Sequence, residues 1–207
     1  MEENGFASGS MEIERMLSVE IVPYDQRWPA DFVAIGAALR GALGDLALRI
    51  DHIGSTSAPG LAAKDRIDVQ LTVASFERFE LVQAALERLG YALVPGIAKD
   101  HQPPGWAGPG AQWEKRFFRP PAGQRPTNLH VRAAGRANQR YPLLFRDYLR
   151  AHPRSAAAYA ELKRRLADNL RDLDTYPDVK DPACDLIIAA AEDWAAVSNW
   201  ALEASDA

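Results

Sequence analysis

The sequence contains one cysteine, Cys184, among its 207 residues. A single cysteine excludes an intramolecular disulfide. The chain also lacks an apolar run of about 18 or more residues that could cross a bilayer, and no stretch of it resembles a cleavable signal peptide. These absences predict a cytoplasmic protein that makes no membrane contact.

The chain also has no excess of positively charged residues. The chain has 24 Lys and Arg residues against 28 Asp and Glu residues, which gives a formal net charge of −4. Because phosphate backbones bind basic surfaces, this balance argues against an extended nucleic-acid-binding surface. Local basic clusters, and with them small phosphorylated ligands, stay possible.

Apolar residues make up 47% of the chain, which is enough to bury one sizeable core. We predict a flexible lead-in over residues 1–17 and a single domain over residues 18–200. A small domain followed by a helical tail is the alternative organisation.

Strand and helix patterns alternate in the first half of the chain. Periodicity predicts a helix from Trp28 to Gly44, strands over residues 46–53 and 66–73, and a helix that is capped by Ser75 and ends at Gly90. In the second strand Asp68 and Gln70 share the face opposite the apolar residues.

The second half begins with strands and ends with helices. We expect a short strand over residues 91–94, a Pro- and Gly-rich surface loop over residues 95–110, a strand pair over residues 112–119 and 127–133, and helices around Tyr141, after Pro153 and after Pro182. Tyr176 and Lys180 are assigned to the loop before the last helix. This order predicts an α+β fold: a mixed sheet with helices packed on it and a C-terminal helical layer.

The turn Gly54-Ser55-Thr56-Ser57 follows a predicted strand. Backbone N–H groups, hydroxyls and a glycine that permits close approach suit an anion such as phosphate, although ordinary turns of this composition are more common. Asp68 and Gln70 stand where a metal-binding pair would stand if both were acidic. Only Asp68 is acidic.

Several motifs together resemble the GrpB family, a bacterial family of largely unassigned function. They are His52-Ile53-Gly54-Ser55-Thr56-Ser57, residues 59–64, Ile67-Asp68-Val69, Lys115-Arg116, Asn128-Leu129-His130-Val131-Arg132 and residues 143–149. The pattern is also similar to the C-terminal extension of some actinobacterial dephospho-CoA kinases. The chain has no Gly-x-x-x-x-Gly-Lys-Ser/Thr loop, so the resemblance does not imply kinase activity.

The resemblance implies a nucleotidyltransferase-like fold that binds a nucleotide or another phosphate-containing ligand, with Mg²⁺ or Mn²⁺ as the expected metal. It implies Asp68 as metal ligand and catalytic residue and His130 as a second catalytic residue. The implied ligand-binding residues are Gly54, Ser55, Thr56, Ser57, Lys64, Gln70, Lys115, Arg116 and Arg132. Gln70 occupies the position of the second metal carboxylate, and a neutral amide binds Mg²⁺ far more weakly.

Structural roles remain open for most of these side chains. His130 is as well explained by a backbone-bonded imidazole as by catalysis, and the basic residues could be solvated or ion-paired rather than forming a phosphate clamp. We expect His52 to be buried and hydrogen-bonded, and Arg146 and Asp147 to form a structural ion pair. No other feature of the sequence assigns a role to His101.

Three functions are compatible with these features. The first is a binding domain for nucleotides or phosphorylated ligands. The second is a folding-accessory or interaction module for a protein partner, in which Asp68 and His130 would belong to a structural network. The third is a metal-dependent hydrolase that uses Asp68 and His130 as ligands, for which two ligands are too few.

Overall fold

The computed structural model describes residues 20–172 and 175–207, so the predicted lead-in over residues 1–17 lies outside the described residues. The helices are α1 (Trp28–Leu43), α2 (Phe79–Arg88), α3 (Ala137–Ala151), α4 (Pro153–Asn169) and α5 (Tyr176–Ser198), and the strands are β1 (Arg49–Ile53), β2 (Ile67–Val73), β3 (Ala92–Leu93), β4 (Arg116–Arg119) and β5 (Thr127–Ala133). Single 3₁₀ turns span Gly44–Leu46, Ser55–Ser57 and Gly110–Trp113.

The five strands form one mixed sheet in the order β1-β2-β5-β4-β3. β2 and β5 pair in parallel, and the other neighbouring strands pair antiparallel. The parallel register sets Asp68 beside Asn128 and Gln70 beside His130. Two segments that are distant in sequence therefore present their polar residues side by side.

One face of the sheet is apolar and forms the main core with α1 and α2. Val69, Leu71 and Leu129 are fully buried there against Trp28 and Leu39 of α1. Because side chains alternate along a strand, burying this set turns Asp68, Gln70, Asn128 and His130 to the opposite face.

Helices α3, α4 and α5 pack on one another around a second apolar cluster, which includes Leu144, Tyr159 and Ile188. α3 also contacts β1 and β5, so this layer lies over part of the polar face of the sheet. The architecture confirms the predicted α+β class, with a mixed sheet, packed helices and a C-terminal helical layer.

Residues 205–207 lie along the free edge of β1, beyond the predicted end of the domain at residue 200. Ser205 Oγ accepts a hydrogen bond from the Ile50 N–H at 2.8 Å, and an Asp206 carboxylate oxygen lies 2.7 Å from Arg146 Nη1. Arg146 also pairs with Asp147 at 2.7 Å, which confirms the predicted ion pair.

Four predicted element boundaries were wrong. β1 begins at Arg49, since Leu46 still belongs to a 3₁₀ turn, and β4 begins at Arg116, since a 3₁₀ turn extends to Trp113. α2 begins only at Phe79, although Ser75 Oγ does accept a hydrogen bond, at 3.2 Å from the Glu77 N–H.

The fourth error concerns α5, which begins at Tyr176 rather than at Pro182. Pro177 lies in its first turn, where a missing N–H costs nothing, and Pro182 lies inside the helix. Tyr176 and Lys180 are therefore helical rather than part of a loop. Within the described part of the chain, no helix is both long and apolar enough to cross a membrane.

Candidate functional site

A turn that contains Gly54 follows β1 and lies against the side chains that form the base of the site. Gly54 has φ +69° and ψ −171°, a conformation that is essentially confined to glycine. A Cβ at this position would lie 2.9 Å from both Cβ and Cγ of Asp68 and would meet its carboxylate oxygen. The glycine therefore allows Asp68 on β2 to lie against the turn.

The floor consists of Asp68, Asn128 and His130 on the parallel strands β2 and β5. Asn128 Nδ2 donates to Asp68 Oδ1 at 2.6 Å, and His130 Nε2 lies 3.8 Å from the same oxygen. Burial and the positive charge of Arg132 lower the pKa of His130 to about 4, so its imidazole is neutral at pH 7. Burial acts to raise the pKa of Asp68, but His130 and the Asn128 hydrogen bond lower it overall.

Lys163 on α4 reaches the turn from the helical layer. Its Nζ lies 2.8 Å from Ser55 Oγ and 2.5 Å from the carbonyl oxygen of Ala62, and the residue is 3% exposed. Within the described ranges no carboxylate forms a direct ion pair with it, and the charge of Asp68 acts on it only from a longer distance, where it favours the ammonium form. Burial, followed by repulsion from Lys180, lowers the pKa of Lys163 to about 7.

Tyr176 and Lys180, on the first turns of α5, complete this side of the site. The Lys64 ammonium lies 3.9 Å from the centre of the Tyr176 ring. The Tyr176 hydroxyl is buried and has no hydrogen-bond partner within the structure described here. Burial raises the pKa of Tyr176 to about 12, so the hydroxyl keeps its proton at neutral pH.

Asp100, in the long loop after β3, binds three residues of the site wall. Arg132 Nε, Lys115 Nζ and Asn138 Nδ2 donate to its carboxylate at 2.8, 2.7 and 2.9 Å. Burial acts to raise the pKa of Asp100, but these partners hold it far below its usual range. The neighbouring His101 joins the same loop to α5 through Asp185, with Nε2 3.0 Å from both carboxylate oxygens.

Two adjoining cavities open over this floor. The larger, which we call the polar cleft, has a volume of about 470 Å³ and is lined by charged residues that include Lys64, Arg66, Lys115, Lys163 and Lys180. The smaller, the aromatic chamber, has a volume of about 220 Å³ and is lined by Trp113, Tyr141, Phe145 and Tyr159. Both reach Gly54, Ser55, Asp68 and His130, so they form two parts of one site.

Comparison with known proteins places the chain in a family. The GrpB protein family model matches residues 18–190. The chain belongs to the GrpB family. The crystal structure of the conserved protein GrpB from Enterococcus faecalis aligns with a TM-score of 0.65 and 27% identity, over 83% of this chain and 98% of that chain.

Two further matches are to larger proteins. The dephospho-CoA kinase of Mycolicibacterium paratuberculosis is 38% identical over 197 residues, which cover 88% of this chain and 48% of the kinase. The chain thus spans about half the length of the first curated relatives it matches. The Cid1 poly(U) polymerase aligns at 11% identity and a TM-score of 0.46, over 80% of this chain and 49% of that chain, which is too distant to transfer an activity.

The structure brings most of the residues implied by the GrpB resemblance to one place, while their roles stay predictions. Those that line the polar cleft are Gly54, Ser55, Thr56, Lys64, Asp68, Lys115 and His130. Arg132 lines the aromatic chamber. Thr56 Oγ1 lies 3.0 Å from His52 Nε2, and His52 is buried against Phe32, which confirms its expected structural role.

Three implied residues do not line the site. Ser57 is buried and donates to the Gly54 carbonyl at 2.6 Å. Gln70 is fully buried, where its amide donates to the Gln139 carbonyl and accepts from Arg132 Nη1. Its side chain is therefore held in the structural network rather than offered to a ligand.

Arg116 lies on the opposite face of the sheet. It follows the alternation of Phe118 in β4, so its guanidinium lies over the Phe76 ring, 4.6 Å from the centre, and pairs with Glu114 at 2.9 Å. Its predicted contribution to a phosphate clamp was wrong for that reason. Arg119 instead lies on the cleft side, where it hydrogen-bonds to the Asn128 side chain.

Sequence reasoning missed Lys163 and Asp100, and it assigned Tyr176 and Lys180 to a loop. One signal was available: α4 and α5 both contain Tyr-x-x-x-Lys, as Tyr159/Lys163 and Tyr176/Lys180. Residues four apart share a helix face, so this repetition indicates two helices that present the same pair of groups. No comparable signal distinguishes Asp100 within its loop.

The donor set does not fit a pair of magnesium ions held by the protein. Asp68 is available, but the Gln70 amide is held by Gln139 and Arg132, and the carboxylate of Asp100 is already neutralised. Within residues 20–172 and 175–207, no group of three or more His, Cys, Asp and Glu side chains is arranged to hold a metal ion. A metal at this site would need oxygen ligands from a bound molecule as well as from Asp68.

Gly54→Ala should destabilise this site more than Gly60→Ala. Both glycines have positive φ, +69° and +80°, but a Cβ at Gly60 meets nothing within 4 Å whereas a Cβ at Gly54 meets Asp68. We expect a loss of about 1–2 kcal/mol in Gly60→Ala and a larger loss in Gly54→Ala, where a more restricted backbone conformation and the contact with Asp68 both contribute, measured as the change in unfolding free energy. Equal losses in the two variants would contradict the close approach of Asp68.

Proposed function

We propose that this GrpB-family protein binds a phosphorylated small molecule of the nucleotide class, with phosphate oxygens at the Ser55 turn and the Lys163 ammonium. The observation that carries the proposal is the position of Lys163: a buried lysine that contacts the turn and lines the cleft without a carboxylate partner among the described residues.

A buried ammonium without a carboxylate in direct contact is unfavourable, because burial removes the water that stabilises its charge. An anion in the polar cleft would supply the missing charge. Lys64, Arg66 and Lys180 line the same cleft and add positive potential in a protein whose net charge is −4, although Lys180 Nζ lies 3.7 Å from Asp181, which also lines the cleft. Ser55 is partly exposed at the turn, where its hydroxyl can donate to a phosphate oxygen.

The proposal also covers the Mg²⁺ or Mn²⁺ ion that the resemblance implies. Asp68 is ionised at neutral pH and lies beside the proposed phosphate position, so a Mg²⁺ or Mn²⁺ ion could be held by Asp68 together with phosphate oxygens. Such an ion would neutralise charge on the ligand. The chain's own residues bind and orient the ligand, and catalysis is not part of the proposal.

A partner-binding function is the second candidate, and the outer face of α5 favours it. Val179, Leu186 and Val197 are 46%, 76% and 82% exposed and recur at spacings that place them on one face of the helix. Relatives named dephospho-CoA kinase contain an additional half that could meet such a face. This function alone requires no anion in the cleft, so ligand binding separates it from the first candidate.

Tripolyphosphate and nucleoside triphosphates should stabilise the protein against heating, tested with and without Mg²⁺. At a ligand concentration of about 100 Kd we expect the melting temperature to rise by about 5–10 °C.

Lys163→Met should weaken binding by about 10- to 100-fold, because a charge-assisted contact is lost. Lys99→Met, which removes an exposed lysine outside the cleft, is the matched control and should bind normally.

The ligand-free Lys163→Met protein distinguishes a binding role from a structural one. Removing the buried charge also removes its desolvation cost, so we expect the melting temperature at pH 7 to change by only a few degrees. No stabilisation of the wild-type protein by any polyphosphate, with or without Mg²⁺, would refute the proposed function and leave the partner-binding candidate.

Anion affinity should fall as the pH rises through 7. The pKa of Lys163 is about 7, so the ammonium form that attracts phosphate is present below this pH and is lost above it. A bound anion stabilises the ammonium and shifts the transition upward. The ratio of wild-type to Lys163→Met affinity for tripolyphosphate should therefore decline from pH 6 to pH 9, and a constant ratio would contradict the titration of Lys163.

A further inference from the structure

The aromatic chamber differs in chemistry from the polar cleft that it adjoins. Its aromatic side chains form a chain of contacts: Trp113 to Tyr141 at 6.1 Å, Tyr141 to Phe145 at 6.1 Å and Phe145 to Tyr159 at 5.6 Å between ring centres. Tyr141 and Phe145 lie one turn apart on α3 and are only half-buried. Accessible ring surfaces of this kind favour a flat aromatic guest.

Asn138 lies in the wall of the chamber and is 1% exposed. Its amide nitrogen donates to Asp100 Oδ2 at 2.9 Å and to the Glu114 carbonyl at 3.0 Å. Both of these partners are acceptors, so the hydrogen-bond network fixes the orientation of the amide and leaves Oδ1 as the acceptor.

Oδ1 of Asn138 is buried and has no hydrogen-bond partner among the described residues. Leaving a buried acceptor unpaired is costly, and such groups in native proteins need an explanation. Among the described residues, three side chains have a buried polar atom without a hydrogen-bond partner, and two of them, Asn138 and Tyr176, line the site. A ligand that carries an N–H donor would satisfy Asn138.

We propose that the aromatic chamber holds the nucleobase of the phosphorylated ligand, and that Asn138 selects bases with an exocyclic amino group by accepting a hydrogen bond from it. This inference rests on the proposed function, since the phosphates bound near Ser55 would direct the rest of the ligand into the adjoining chamber. Ser55 and Tyr159 line both cavities, so a single nucleotide can occupy both. Asn138 is thus a specificity-determining residue.

Two pairs of nucleotides that differ only in the amino group test the proposal. ATP is compared with purine riboside triphosphate and CTP with its 4-desamino analogue, using tripolyphosphate as the probe without a base, by titration calorimetry on the wild-type protein. In at least one pair the amino-bearing nucleotide should bind about tenfold more tightly than its partner, and more tightly than tripolyphosphate. This comparison requires no variant to fold.

Variants then assign the selectivity to the chamber. Asn138→Ala should abolish the preference within that pair, and the exposed Asn169→Ala is the control. Tyr141→Leu should weaken binding of both nucleotides in the pair but not of tripolyphosphate, whereas Tyr24→Leu, which removes a half-buried tyrosine outside the chamber, should leave all affinities unchanged.

The outcomes separate this inference from the proposed function. If tripolyphosphate binds and nucleotides bind no more tightly, or both members of each pair bind equally, the base site is refuted and phosphate binding stands. If neither tripolyphosphate nor any nucleotide binds, both proposals are refuted. Selectivity that persists in Asn138→Ala refutes the role of Asn138.

Discussion

The contact between the Lys163 ammonium and the Ser55 turn is the interaction on which the site depends. It joins α4 to the segment between β1 and β2, since Nζ contacts both Ser55 Oγ and the carbonyl of Ala62. The helical layer and the sheet thereby meet at a point that is polar rather than apolar. The cost of burying this charge is a reason for the cleft to be occupied by an anion.

The two faces of the sheet have different roles in this arrangement. Its apolar face packs on α1 and α2 and supplies the burial that stabilises the fold. Its other face contains the buried network of Asp100, Arg132, Gln70 and Asn138, which holds the long loop against the sheet. Because this network is internally paired, the charges left for a ligand are concentrated around the Ser55 turn.

A feature of the site could be predicted from the sequence only where the pattern that indicates it involves residues close together in the chain. Alternation within a strand is local, so the shared face of Asp68 and Gln70 and that of Asn128 and His130 could be predicted. The parallel register that brings the two sets together depends on pairing between distant segments. Arg116 was expected among the ligand-binding residues because of the resemblance, and its own strand could not assign it to a face, since the short β4 contains a basic and an aromatic residue on each side.

Lys163 was missed for a different reason. It begins the sequence Lys163-Arg164-Arg165, which is typical of a solvated helix surface, and only the packing of α4 on the turn buries its first member. The α5 boundary was misjudged because two prolines, Pro177 and Pro182, both suit a helix start. Helix packing, rather than local propensity, decides both cases.

The most direct test is an NMR titration of the lysine side chains, with Lys163 assigned by its absence in Lys163→Met. The account predicts that the ligand-free protein has a lysine that titrates near pH 7 and that pyrophosphate shifts this titration to higher pH. A Lys163 signal that titrates near the ordinary value of 10.5 and does not respond to pyrophosphate would contradict the account.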